Sequence, residues 1–381
     1  MPYPSHIPRS LLATLAEKLT GPRKIILLYG ARQVGKTTLV REFLRGYEGK
    51  VLEINADMPR LTQTLSSRDL GQLQRMLAGY DLLFIDEAQR IPDIGINLKI
   101  IHDQIPDIRI VVTGSSSLDL ANKVSEALTG RTWTYVLYPL SVLEWRQLDS
   151  SFVLDQRIEE FLLYGMYPEV FAYPGAQEKR EYLTGLTDAY LYKDILDLGG
   201  IRYPEKILNL LRLLAWQIGS QVSFSELGKQ LGLSTETVHA YVELLKKGFV
   251  VFDLQGYSRN LRKEITKTRK IYFYDLGIRN ALIENFNSLS QRNDTGHLWE
   301  NFLICERMKR MHYERQYANF YFWRTYTGAE LDFVEERDGK LFGYEMKWSN
   351  NKAKAPASWL ETYPEATFTL LNQENYLEFI A

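Results

Sequence analysis

Cysteine is nearly absent from this chain of 381 residues: Cys305 stands alone. That excludes an internal disulfide and fits a reducing compartment. Its apolar helical surroundings read as those of a buried structural thiol. No run approaches the roughly 20 apolar residues that a membrane span needs. In "MPYPSHIPRSLLATLAEKL", prolines stand where a signal peptide would need its apolar centre. A cytoplasmic protein with no membrane partner is expected. An excess of charge of one sign is also missing. The formal net charge is −1, so any nucleic-acid surface must be a local patch. Internal repeats and low-complexity segments are absent. Hydrophobic residues make up 45% and charged residues 24%, which is a globular composition, and the length suggests roughly two to four domains.

Residues 9–19 have the pattern of an amphipathic helix, with leucines at 11, 12, 15 and 19. "KIILLYG" is a continuous apolar run, as in a strand buried on both faces. "KVLEINAD", "DLLFIDEAQ" and "IRIVVTGSS" repeat the theme with helical segments between them, which predicts a parallel α/β sheet. The stretch from Pro139 to about Gly200 is mostly helical and rich in tyrosine. Residues 204–275 read as a helix, a short helix, a glycine turn at Gly232, a helix begun by Ser234, and two strands. That is the order of a winged helix-turn-helix.

"GARQVGKT" fits G-x-x-x-x-G-K-[ST] between a buried strand and a helix. The loop's backbone N–H groups and the helix N-terminus supply the positive partial charge that phosphates need. Gly30, Arg32, Gln33, Val34, Gly35, Lys36, Thr37 and Thr38 are therefore assigned to ATP. Lys36 would reach the β- and γ-phosphates, and Thr37 would hold Mg²⁺. "LLFIDE" places Asp86 and Glu87 at the end of another apolar strand. Asp86 would join the Mg²⁺ site and Glu87 would activate the attacking water. After the strand ending "VVTGSSS", either Ser115 or Thr113 would sit beside the γ-phosphate, or the segment is only a helix cap. Arg131, in "LTGR", would either complete a neighbouring subunit's site in an oligomeric ring or serve as a structural arginine.

"GARQVGKTTL", "FIDEAQ", "VTGSSS", "LTGR" and "YPLSVLEW", followed by "YGMYPEV", "LYKDIL", "YSRNL" and "YFYDLGIRNAL", resemble one family along nearly the whole chain. It comprises the bacterial and archaeal AAA-type ATPases that carry a C-terminal domain of unknown function, number 4143. The resemblance implies an AAA+ core, a finger role for Arg131, a winged helix and a nuclease-like end. It does not supply a substrate.

"SRNLRKEITKTRK" gathers Arg259, Arg262, Lys263, Lys267, Arg269 and Lys270 against Glu264 alone. A basic wing of this kind can lie along a phosphate backbone. The helix beginning at Ser234 has no arginine near its start to read guanine, so backbone contact is expected in place of sequence reading. The alternative is a structural or subunit-contact module with a solvated wing. His239 is expected at the surface.

Near the C-terminus, "GAELDFVEERDGKLFGYEMKWSN" reads as two strands around a turn at Asp338-Gly339. Alternation would place Glu330, Asp332 and Val334 on one face of the first strand. On the second, Leu341, Gly343, Glu345 and Lys347 would oppose a buried set of Phe342, Tyr344, Met346 and Trp348. Asp332, Glu345 and Lys347 have the D…E-x-K spacing of the restriction-endonuclease-like fold. There carboxylates hold Mg²⁺ or Mn²⁺ and the lysine positions water. Glu300, on the preceding helix, would add an acidic ligand, and Gly343 would let a phosphate backbone approach. The spacing is common by chance; the order of helix, strand, hairpin and E-x-K gives it weight. The alternative is a non-cleaving site whose residues grip DNA or form ion pairs such as Lys347 to Asp332.

The expected fold is α/β: a P-loop AAA+ core (1–140), a helical lid (141–203), a winged helix (204–284) and a restriction-endonuclease-like domain (285–381). The expected function is Mg²⁺-dependent ATP hydrolysis by a homo-oligomer acting on DNA, with cleavage or grip by the C-terminal end. The alternatives are an ATP-dependent switch that binds protein or DNA without cutting, and a DNA translocase or branch-migration motor.

Overall fold

The computed structural model describes residues 6–56, 58–115, 128–188, 203–258, 268–349 and 352–381. The chain divides into two compact units. One is Pro8–Pro139 with Lys247–Phe249; the other is built mainly on Leu140–Lys246 and Val250–Ala381.

The first unit is organised around five parallel strands in the order β2-β3-β4-β1-β5. They are β1 (Ile25–Tyr29), β2 (Val51–Asn55), β3 (Leu82–Asp86), β4 (Arg109–Gly114) and β5 (Thr132–Val136). Every residue of β1 and β3 is buried, as their continuous apolar runs require of strands covered on both faces. Leu27, Tyr29, Leu83, Ile85 and Val112 pack against Leu98 and Ile101 of a covering helix. Helix α1 (Leu11–Thr20) buries Leu11, Leu15 and Leu19, one stripe at helical spacing. Helix α2 (Lys36–Leu44) follows the loop after β1.

The second unit contains a seven-stranded mixed sheet in the order β12-β11-β10-β9-β7-β8-β6. Its strands are β6 (Gln221–Val222), β7 (Val251–Gly256), β8 (Arg269–Phe273), β9 (Asn319–Arg324), β10 (Glu330–Arg337), β11 (Lys340–Met346) and β12 (Thr367–Leu371). The helices Phe224–Leu231 and Thr235–Lys247 stand between β6 and β7 in the chain. Gly232 ends the first in the left-handed conformation, and the Ser234 hydroxyl accepts from Thr237 N–H at the start of the second. His239 is exposed. The strand β7 pairs with β8 on one side and with β9, in parallel, on the other, through Gln255–Tyr321 and Gly256–Phe322. One sheet therefore runs across the expected division at residue 284, because the free edge of β7 takes a partner from the C-terminal segment.

The long helix Thr295–Tyr313 is tied to β8 by Asn301. Its side chain accepts from Phe273 N–H at 2.7 Å and donates to Phe273 C=O at 2.9 Å. Cys305 lies on this helix, buried, and its thiol donates to Tyr274 C=O. The turn at Asp338-Gly339 has φ of 50° and 73°, two left-handed residues that match the twist of a tight hairpin.

The simple alternation expected for β10 is interrupted. Its register against β9 shifts between Leu331 and Val334. An extra residue there puts Val334 with Leu331 in a core cluster beside Trp323 and Trp359. Val334 therefore does not share the face of Glu330 and Asp332. Gly343 is also placed differently from expectation. A Cβ on it would lie 2.7 Å from Leu331 Cδ1 and 3.3 Å from the Trp359 ring, so the core fills the space reserved for a phosphate.

Candidate functional site

The strand order of the first unit brings the carboxyl ends of β1, β3 and β4 together, where α/β sheets bind ligands. Gly30 leaves β1 with φ of +151°, and a Cβ there would stand 2.1 Å from the Leu137 carbonyl oxygen. Only glycine permits that approach. Gly35, at φ +94°, turns the loop into α2. The Lys36 ammonium folds back over the loop, donating to the carbonyls of Gly30 at 3.0 Å and Ala31 at 2.8 Å. Val34 is buried, Thr38 and Gln33 are exposed, and Arg32 is intermediate.

Thr37 Oγ1 donates to the Asp86 carboxylate, 3.0 Å from Oδ1 and 2.9 Å from Oδ2. This pairs one hydroxyl with one carboxylate at the mouth of the loop, a donor set that suits Mg²⁺. Thr113 Oγ1 donates to Asp86 Oδ1 from the other side and accepts from Glu87 N–H at 3.3 Å. Glu87 has φ of 56°, a left-handed non-glycine conformation of the kind found at functional turns. Its Oε2 accepts from Gln89 Nε2 at 2.5 Å, and the same nitrogen lies 2.8 Å from Ser115 Oγ. Of the two polar residues expected near the γ-phosphate, Thr113 touches the Asp86–Glu87 pair directly and Ser115 reaches it through Gln89.

Two further residues shape the site. Gln89 is one. Arg9 is the other: buried, it donates to Val34 C=O at 2.6 Å and Tyr138 C=O at 2.7 Å, pinning the loop backbone. Arg9 depends on partners far away in sequence, whereas Gln89 closes the "FIDEAQ" stretch and its link to Ser115 comes from the fold.

Arg131 lies at the other end of the sheet. Its carbonyl accepts from Ile25 N–H, at the start of β1. The length of β1, about 17 Å for five residues, separates it from its own phosphate loop. Its guanidinium grips Asp103 with two bonds of 2.8 and 3.0 Å. Hydrogen bonds from Arg131 and His102 hold the Asp103 carboxyl down to about 2.

The second unit has a cleft of about 540 Å³ whose lining includes Lys270, Glu300, Glu330, Asp332, Glu345 and Lys347. Alternation along β8 sends Lys270 and Tyr272 to one face, where both meet Glu300 of the long helix. Tyr272 Oη donates to Glu300 Oε1 at 2.6 Å. The Lys270 ammonium lies 2.6 Å from Glu330, 3.2 Å from Glu300 and 4.0 Å from Asp332. Burial works against its charge, but Glu300, Asp332 and Glu330 outweigh that and raise its pKa. Burial, with the Asp332 charge, pushes Glu300 up to about 7. Asp332 Oδ2 accepts from Met346 N–H at 2.8 Å; its own pKa is raised, mainly by burial.

These positions correct several expectations. Glu300, Asp332 and Glu345 line the same cleft. Among the described residues, no three His, Cys, Asp or Glu side chains are arranged to hold a metal ion. Lys347 pairs with Glu345 at 2.6 Å, not with Asp332. Lys270 belongs to this cleft and not to a basic wing, with only 3% of its surface exposed. Arg269 is bonded to Asp253, so its charge is committed within the sheet. The remaining DNA-facing residues, Arg259, Arg262, Lys263 and Lys267, lie outside the described residues.

Comparison with known proteins bears on both units. Residues 22–145 match an AAA domain, 155–289 a domain of unknown function (DUF8612), and 295–376 a domain of unknown function (DUF4143). An uncharacterized protein of Mycobacterium tuberculosis is 30% identical over 328 residues, covering 85% of this chain and 70% of that protein. The chain belongs to the family of P-loop ATPases that join this AAA domain to a DUF4143 domain. A Methanocaldococcus jannaschii relative, also uncharacterized, is 24% identical over 356 residues, 88% of this chain and 78% of that protein. Among solved structures, a Walker-type ATPase of Pyrococcus abyssi superposes with a TM-score of 0.52 at 16% identity. That match covers 74% of this chain and 97% of the other, and it supports the P-loop fold. The AAA–DUF4143 chain is thus an ATPase in its first unit.

Proposed function

We propose that this AAA–DUF4143 ATPase hydrolyses ATP with Mg²⁺ and works on DNA as a homo-oligomer, gripping the nucleic acid through its second unit without cutting it. The observation that carries the reading is the hydroxyl–carboxylate pair of Thr37 and Asp86 beside the phosphate loop. Thr37 and Asp86 would hold Mg²⁺, which when bound neutralises charge on the β- and γ-phosphate oxygens. Lys36 exchanges its loop carbonyls for phosphate oxygens. Glu87, oriented by Gln89 and by its bond to Thr113, takes the proton of the attacking water. Thr113 holds the Asp86 carboxylate and the Glu87 backbone in one register. Arg131 sits too far from its own loop to serve it, so a role in hydrolysis would be on a neighbouring copy's ATP.

The DNA part rests on element order. Two helices between β6 and β7, with β8 completing the strands, support a winged-helix reading. The run of helix Thr295–Tyr313, β9, β10, β11 and β12 supports a restriction-endonuclease-like one. Lys270, standing among the acids where a metal would be needed, argues against cleavage. The test measures ATP turnover by the full chain with Mg²⁺, alone and with linear, single-stranded and branched DNA. The expected result is turnover abolished by Lys36→Ala, stimulation by one of the DNAs, and intact DNA at the end. No response to any DNA would remove the DNA part and leave the switch reading. DNA cut by wild type but not by Asp332→Ala would overturn the grip.

A further inference from the structure

The D…E-x-K pattern makes a divalent ion the expected occupant of the acidic cleft, and such an ion needs oxygen ligands at about 2.0–2.6 Å converging on one point. The residues do not fit it. Where the carboxylates approach one another, the space holds an ammonium. Lys270 reaches Glu330 at 2.6 Å, Glu300 at 3.2 Å and Asp332 at 4.0 Å, so a single cation has three carboxylates around it. A lysine ammonium has three N–H donors and no acceptor, which suits a ring of carboxylates. Its ammonium also lies 5.6 Å from the centre of the Phe322 ring and the residue is buried, so the head group is fixed in place. The Tyr272 hydroxyl occupies a further lone pair of Glu300, and Met346 N–H occupies one of Asp332. Glu345, the remaining acid, has its own partner in Lys347.

We propose that Lys270 is a built-in cation that takes the place of a divalent metal among Glu300, Glu330 and Asp332, offsetting part of their charge without a metal ion. A metal entering beside it would meet an adjacent positive charge and carboxylates already committed to hydrogen bonds. The role of Lys270 is to position these acids and hold the long helix against β8, and removing its charge should open a metal site.

This inference rests on the nuclease-like reading of the second unit only for the expectation of a metal. The experiment is a Mn²⁺ titration of the full chain without nucleotide, followed by electron paramagnetic resonance, counting only binding that depends on Asp332. Wild type should show no such site. Lys270→Met should gain one Mn²⁺ per chain, lost again when Asp332→Asn is added. A wild-type site removed by Asp332→Asn alone would overturn the proposal, whatever the fate of Lys270→Met. So would a Lys270→Met protein with a native thermal melt that gains no Asp332-dependent Mn²⁺. If Lys270→Met does not fold, Lys270→Gln, which keeps a polar head, is read by the same two outcomes. The nuclease-like reading fails separately, if the full chain binds no DNA in a fluorescence anisotropy assay; the Mn²⁺ result stands in either case.

Discussion

The Thr113 hydroxyl donates to the Asp86 carboxylate and accepts the backbone N–H of Glu87. One side chain from β4 therefore fixes both the residue assigned to the metal and the residue assigned to the water. Thr113→Val keeps the shape and removes both bonds. A lost hydrogen bond to a charged group costs about 1.5–3 kcal/mol. If that appears in the transition state, kcat for ATP should fall roughly tenfold to a hundredfold. Nucleotide affinity, set mainly by the loop, should change far less. Steady-state ATPase and a fluorescent-nucleotide titration separate the two effects, and an equal loss in both would assign Thr113 to folding of the loop.

Gly343 provides a test of the core behind the hairpin. Gly343→Ala would push a methyl group against Leu331 and Trp359. Overpacking of this kind costs typically about 1–3 kcal/mol. Urea unfolding should show a lower midpoint for the second unit, while ATP turnover by the first unit stays near wild type. A neutral result would mean that the space beside Gly343 is open, as a phosphate-approach role requires.

Asp294 gives a pH signature. Burial would raise its pKa, but bonds from Arg292 and the charge of Arg279 outweigh that and hold the carboxyl down at about 2. Arg279 is 2.6 Å from Oδ2, and Arg292 reaches both oxygens at 2.8 Å. A carboxyl lowered on folding contributes stability above its ordinary pKa of 3.8 and loses it as the pH falls through about 2. Asp294→Asn should cost on the order of 2 kcal/mol at neutral pH. It should also flatten the part of the stability–pH curve between about pH 4 and pH 2. Thermal melts across that range check both points.

The first unit was largely legible in the sequence because its signals are local. A buried strand, a glycine loop and a helix are contiguous, and Asp86 and Glu87 end an apolar run. The Asp338-Gly339 turn was readable for the same reason. What escaped depends on distant packing. Lys270 sits in a run of basic residues, so its neighbours suggested a wing. Its position two residues before Tyr272 on a strand facing Glu300 is visible only once β8 is placed. The irregularity in β10 moved Val334 off the acidic face, since one extra residue reverses the alternation beyond it. Gly343 was given to a phosphate because glycine signals close approach without saying by what; Leu331 and Trp359 make that approach. Arg9 carries no motif and its role comes from partners brought in by the fold; Gln89 ends "FIDEAQ", but its bond to Ser115 needed the fold.

Glu87 is assigned to activate water in a site built by Thr37, Asp86 and Thr113. The most direct measurement is single-turnover hydrolysis of Mg²⁺·ATP by Glu87→Gln, with affinity measured on the same protein. The variant should bind ATP within a few-fold of wild type while hydrolysis slows by about 10²–10⁴. Hydrolysis at the wild-type rate would contradict it and move the catalytic role away from the end of β3.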